Sequence, residues 1–162
     1  MQRPWPEGRF YGFERYADAD SVGYRGPVFG YWRIPDQVSM ALLHAQELAL
    51  EAAAEQPRRP RFAVFATLQT HAPFHPRVPY LAQWDRLVSS RAYTPAQVAE
   101  ALAATGPPGG WVRAYVDALA YTYRWVGDYL DAGGRAAPSL VTIMLGDHQP
   151  LAAVAGRGAS WD

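Results

Sequence analysis

Residues 138–150 read PSLVTIMLGDHQP, and the fold turns on how they are read. Leu140, Val141, Ile143, Met144 and Leu145 form a short apolar run between Pro138 and Gly146. A run of this length, apolar at successive positions, predicts a strand buried on both faces. Gly146, Asp147 and His148 follow it directly, so the strand would deliver an acid and an imidazole to its carboxyl end. A second stretch of the same kind, RFAVFATLQT at residues 61–70, lies between Pro60 and Pro73 and delivers Thr70 and His71. The segment HAPFHP continues neither strand nor helix, because Pro73 and Pro76 interrupt both.

Helical patterns separate the two runs and precede them. From Pro35, the residues Val38, Ala41, Leu42, Ala45, Leu48, Ala49 and Ala52 recur at steps of three and four, with QPRRP as the stop. Thr94, Pro95 and Gln97 have the N-cap, first-turn and capping-box identities of a second helix, ending near Gly106. A third helix is predicted from about Trp111 to Ala132, burying Val112, Tyr115, Val116, Leu119, Tyr123, Val126 and Leu130, with Gly133 and Gly134 closing it. The order helix, strand, helix, helix, strand predicts an α/β fold: a mainly parallel sheet with helices on its faces. Two strands are few for such a sheet, and the chain reads as part of one.

The expected organisation is a single, partial domain over residues 1–162. Residues 1–34 are an aromatic, loop-rich segment with at most one short strand. Residues 35–150 carry the helix-strand-helix-helix-strand core, and residues 151–162 are a terminal loop. The 162 residues include fifteen basic and fifteen acidic side chains, so the formal net charge is zero. That balance gives no electrostatic reason to expect nucleic acid as a partner. With no cysteine in the chain, disulfides and thiolate metal sites are excluded, and any metal must be held by oxygen and imidazole nitrogen. No window is apolar over the length of a membrane span, and the N-terminus lacks a signal-peptide core.

In open α/β sheets ligands bind beyond the carboxyl ends of the strands, and both His-bearing ends would fall there. Asp147 and His148 suit a divalent ion, and Gly146 would permit the turn that lets neighbouring residues share it. The competing reading is an Asp capping a turn beside a solvated His. His71 reads either as a further ligand or as a donor to an anionic substrate oxygen. His75 is discounted, since Pro73 forbids the helix that would pair it with His71. Arg77 reads equally as an anion contact and as a surface charge, and His44, alone on its helix, receives no role. There is no phosphate-binding glycine loop, no GxSxG elbow and no nucleophilic Cys.

Four stretches together carry a resemblance: the upstream FYGFERY…DSVGYRGPVFGYWRIPDQ (10–37), which leads to an Asp opening a helix, TLQTHAPF (67–74), YVDALAYTYRWVGDYLDAGG (115–134) and LGDHQP (145–150). In that order and separation they resemble the sulfatase-like branch of the alkaline phosphatase superfamily, of the lipoteichoic acid synthase and phosphoethanolamine transferase type. The resemblance runs from about Phe10 to Pro150 and covers the C-terminal half of such a domain. It implies a partial alkaline-phosphatase-like sheet. It implies Asp147 and His148 as metal ligands, His71 as the contact to the transferred phosphoryl or sulfuryl group, and a divalent metal, Zn or Mn foremost, with Mg or Ca also compatible. The implied substrate is a phosphoester or sulfoester, small or on a lipid or glycan. The metal would act as Lewis acid for a Ser, Thr or formylglycine nucleophile. The family's nucleophile and an early acidic ligand would lie upstream of this segment, a further ligand His downstream, and Arg124 stands where the family helix commonly has Asp. The isolated chain is therefore expected to be inactive. The full-length protein is expected to be membrane-anchored, with its catalytic domain outside the cytoplasm. The alternative is a degenerate, non-catalytic sulfatase-like module that binds or scaffolds.

Overall fold

The computed structural model describes residues 11–48, 60–104, 110–133 and 141–156. Its elements in chain order are α1 (Asp36–Leu43), continued by a π-helical turn His44–Leu48, α2 (Trp84–Leu87), α3 (Pro95–Ala103), α4 (Gly110–Gly133) and α5 (Ala152–Ala155). The expected α/β sheet is not formed. Among the described residues the sole β-pairing is an isolated antiparallel bridge between Phe29 and Trp32, so the partial alkaline-phosphatase-like sheet is corrected to a helical fold with long extended connections.

The reason lies in what a strand requires. Residues 61–68 and 141–147 are non-helical, as their β-branched and apolar side chains favour, but among the described residues neither stretch has a neighbour to pair with. Their side chains accordingly face water: Phe62 is 80% exposed, Val141 83% and Leu145 84%. Phe65 is the exception, meeting Trp125 edge-on. Apolar runs report a local preference for extended backbone and carry no information about a pairing partner. The start of the second run, 138–140, lies outside the described residues.

The helices follow their signals more closely. Pro35 precedes α1, and Val38, Ala41 and Leu42 are buried as their spacing predicts, while Ala45 is exposed. Ala49 and Ala52 lie outside the described residues. α3 begins with the predicted capping box: the Gln97 amide donates to Thr94 Oγ1 at 3.2 Å and the Thr94 amide to Gln97 Oε1 at 2.9 Å. The expected helix end near Gly106 and the closing Gly134 fall outside the described residues. α2 and α5 lie where only loop is expected.

α4 has nearly the predicted bounds but a different buried face. Ala114, Ala118, Thr122, Trp125 and Tyr129 are covered, whereas Val112, Val116 and Tyr123 are more than half exposed. Ala114 and Ala118 let neighbouring segments approach the helix axis in its first half, while Trp125 and Tyr129 fill the covered stripe in its second. The main core joins Phe29, Trp32, Val38, Ala41, Leu42, Val78, Leu87, Ala92, Tyr93 and Ala101. A second cluster joins Phe74, Ala114 and Ala118, with Ala72, Tyr115 and Val154 packed against it. This second cluster positions the candidate site.

Candidate functional site

The loop that carries His71 is fixed from three sides. Behind it, the Asp36 carboxylate on the first turn of α1 accepts from the amides of Leu68 (3.0 and 2.9 Å to its two oxygens) and Gln69 (2.8 Å). Gln69 returns the contact, its Oε1 accepting from the Asp36 amide at 2.9 Å. The His71 amide then donates to the Leu68 carbonyl at 2.9 Å, closing a turn. Ahead of it, Phe74 is 3% exposed, and its ring meets Trp111 and Tyr115 of α4 edge-on. Phe74 sits at φ 61°, a left-handed conformation costing roughly 1–2 kcal/mol for a side chain with Cβ, and burial of the ring offsets that strain. The Ala72-Pro73 and His75-Pro76 bonds are cis.

On the third side is the turn 29–32. Gly30 adopts φ 58°, and a Cβ there would lie 3.2 Å from Pro76 Cδ, so the close approach and the backbone both call for glycine. Trp32 Nε1 donates to the Pro76 carbonyl at 3.2 Å. Tyr31, at the exposed tip, lies parallel to the His71 ring with centroids 6.4 Å apart. His71 itself is exposed, and its Nδ1 donates to the Ala72 carbonyl at 2.6 Å. That bond selects the tautomer with its free lone pair on Nε2.

Asp147 and His148 occupy the exposed connection before α5. Their Oδ2 and Nε2 are 3.6 Å apart. The His148 amide donates to Asp147 Oδ1 at 2.9 Å, and His148 Nδ1 to the Gln149 carbonyl at 2.7 Å. His148 thus has the same tautomer as His71. The turn expected at Gly146 is not made through a left-handed glycine; the chain bends at His148. Two donors placed about 2.1 Å from a zinc ion and 3.6 Å from each other subtend about 120°. The pair therefore suits two adjacent positions of a tetrahedral divalent ion. It does not complete one: among the described residues no three His, Cys, Asp or Glu side chains lie together.

Among the described residues His71 shares no cluster with Asp147 and His148. Their neighbours in sequence share one: Phe74 lies with Ala114 and Ala118 of α4, and Ala72 and Val154 pack against that cluster. Arg77 is not free to meet an anion alone, because it bonds Asp117 at 2.7 Å, and Arg113 bonds the same carboxylate at 3.0 Å. His44 Nδ1 meets the Tyr129 hydroxyl at 3.2 Å in the helical core. Arg124 stacks its guanidinium 3.8 Å over the Tyr80 ring, whose hydroxyl bonds Asp128 one turn along α4.

Asp36 is the residue that sequence reading overlooks. It is 2% exposed, and burial pushes its carboxyl up to about 6 despite the amide bonds from Gln69 and Leu68, which act in the opposite direction. Around it, burial also raises the Tyr121 and Tyr93 hydroxyls and holds Tyr24 at about 12. The Tyr93 and Tyr121 hydroxyls are buried without a hydrogen-bond partner among the described residues. The one available signal for Asp36 is an acid directly after the proline that opens a helix, and that reads first as a dipole contact. No helix among the described residues is long and apolar enough to cross a membrane. The chain matches no family model, no curated protein and no solved structure.

Proposed function

We propose that Asp147 and His148 are two ligands of a divalent metal, Zn or Mn foremost, in a phosphoester or sulfoester site of the sulfatase-like kind. His71 is the contact to the phosphoryl or sulfuryl oxygens. The observation that carries this reading is the arrangement at His148. Its Nδ1 is committed to a backbone carbonyl, its Nε2 lone pair is free, and that lone pair stands 3.6 Å from a carboxylate oxygen that is itself exposed. Ligating histidines are characteristically held in this way, with the second ring nitrogen donating to a carbonyl or carboxylate.

A bound divalent ion would supply Lewis-acid polarisation of the ester oxygens. The chain's own residues do the rest of what can be assigned. Asp147 brings a negative charge that favours the cation, and His148 a neutral nitrogen donor. His71 presents Nε2 to solvent, and for Nε2 to donate to an anionic oxygen while Nδ1 remains bonded to Ala72, the ring must take up a proton. No Ser or Thr is singled out as an activated nucleophile, so this chain supplies ligands and an anion contact without turnover.

Zinc titration followed by calorimetry tests the assignment. One zinc per chain is expected for the wild type, and its loss is expected in Asp147→Ala and His148→Ala while His75→Ala binds as before. Equal zinc binding by all four proteins removes the metal reading. Absence of binding in the wild type favours the alternative, a sulfatase-like module that binds or scaffolds without metal, which the lack of a third donor among the described residues also favours.

A further inference from the structure

We infer that Asp36 is the positioning residue of His71, holding the backbone turn that aims its imidazole. The inference rests on His71 being the anion contact proposed above. A carboxylate on the first turn of a helix ordinarily bonds that helix's own free amides. Asp36 does not: α1 has no side-chain cap, and both carboxylate oxygens are used on the chain 32 residues away. The result is a two-way clamp between α1 and residues 68–69, three bonds to the carboxylate and one back from Gln69. His71 lies two residues beyond the clamp, and its own amide closes the turn on Leu68.

Among the described residues, the imidazole's own contacts are local, and they depend on where the backbone places the ring. The ring is exposed, and its partners are the next residue's carbonyl and the parallel Tyr31 ring at the tip of the turn 29–32. Phe74 fixes the loop on its far side, its amide donating to the His71 carbonyl at 3.2 Å, so the clamp and Phe74 hold the backbone of His71 from opposite ends. The clamp is also buried, with Asp36 and the Gln69 side of the turn both out of water. Holding a carboxylate in such a place is costly. An amide of the same shape would keep at least two of the acceptor contacts. Asn at this position should therefore preserve the aim of His71, and removal of the side chain should not.

The test is the tautomer of each histidine, read from long-range proton-nitrogen spectra of the nitrogen-15-labelled full chain. Wild type and Asp36→Asn are expected to show His71 as a single tautomer protonated on Nδ1. Asp36→Ala is expected to lose that single-tautomer signature at His71, while His44, bonded to Tyr129 in the core, and His148 keep theirs. An unchanged His71 in Asp36→Ala overturns the inference, and so does an Asp36→Asn spectrum as perturbed as that of Asp36→Ala. If Asp36→Ala alters His44 as well, the fold has been lost and Gln69→Ala decides. Partial loss at His71 with His44 intact supports the clamp, and no change at His71 overturns it. Zinc added to the same samples separates this from the metal reading. A wild-type His148 resonance indifferent to zinc removes the metal ligands and leaves the His71 result standing.

Discussion

Replacing Asp36 by Asn should make the protein more stable at neutral pH, and the size of the effect follows from the burial of the carboxyl. Its titration is moved from an ordinary 3.8 to about 6 in the folded state. Two pH units correspond to about 3 kcal/mol of differential interaction between the protonated and ionised forms. Because the folded value lies above the unfolded one, the native state binds the proton more tightly. The contribution to stability is fully present below about pH 4 and is lost as the pH rises through 6. Asn carries no such charge and should show no such loss. It keeps one oxygen for the Leu68 and Gln69 amides but turns its own NH₂ toward the Leu68 amide, now 3.0 Å from Oδ1, so about 3 kcal/mol is a ceiling for the gain. Urea unfolding of both proteins at pH 4 and pH 7.5 measures it. The difference in unfolding free energy should move in favour of Asn by roughly 1–3 kcal/mol between the two pH values. Parallel pH profiles for the two proteins would refute the reasoning, since they would mean that the carboxylate is not held out of water.

Three further outcomes are expected. Leu87, fully buried on α2 against the main core, should cost roughly 2–5 kcal/mol on replacement by Ala, read as a lowered urea midpoint; a change below 1 kcal/mol would show that α2 does not close the core. Thr94→Ala removes one half of the capping box at α3 and should cost about 1 kcal/mol, with Thr94→Ser restoring most of it. Ile143→Lys, at a position 76% exposed, should change stability by no more than about 0.5 kcal/mol and reduce self-association in sedimentation velocity, because it interrupts an exposed apolar run; a large loss of stability would place Ile143 in a buried environment.

What the sequence discloses and what it conceals divide along the range of the interactions. The capping box of α3 is spelled in four consecutive residues, and Pro35 announces α1, so both are legible. α4 is legible as a helix but not by its face, because large side chains such as Val112 and Tyr123 draw the eye to a stripe that remains in water, while Ala114 and Ala118 form the contact. The sheet was an inference from two apolar runs, and a run specifies its own extension but not its neighbour. Asp147 and His148 are legible because they are adjacent. Asp36 is not, since its partners lie 32 and 33 residues on and no periodicity connects them.

The loss of the expected sheet does not leave the two histidine-bearing segments unrelated. In an α/β sheet, neighbouring strands would have brought them together. Here one surface of α4 takes that part: Phe74 joins Ala114 and Ala118 in one cluster, and Ala72 on the His71 side and Val154 on the His148 side pack against that cluster. Alanine at 114 and 118 is what permits this, because a larger residue would occupy the space of the Phe74 ring. His71 stands three residues from Phe74 and His148 six from Val154, so each is tied to this cluster through a short stretch of chain. Of the two, the His71 loop is the more firmly determined, held at Leu68 and Gln69 by Asp36 and at Phe74 by α4. The Asp147–His148 connection is held from one end alone among the described residues. The His71 loop is thus held by bonds to distant parts of the chain, whereas the bonds from the His148 amide and ring to Asp147 and Gln149 join neighbours in sequence.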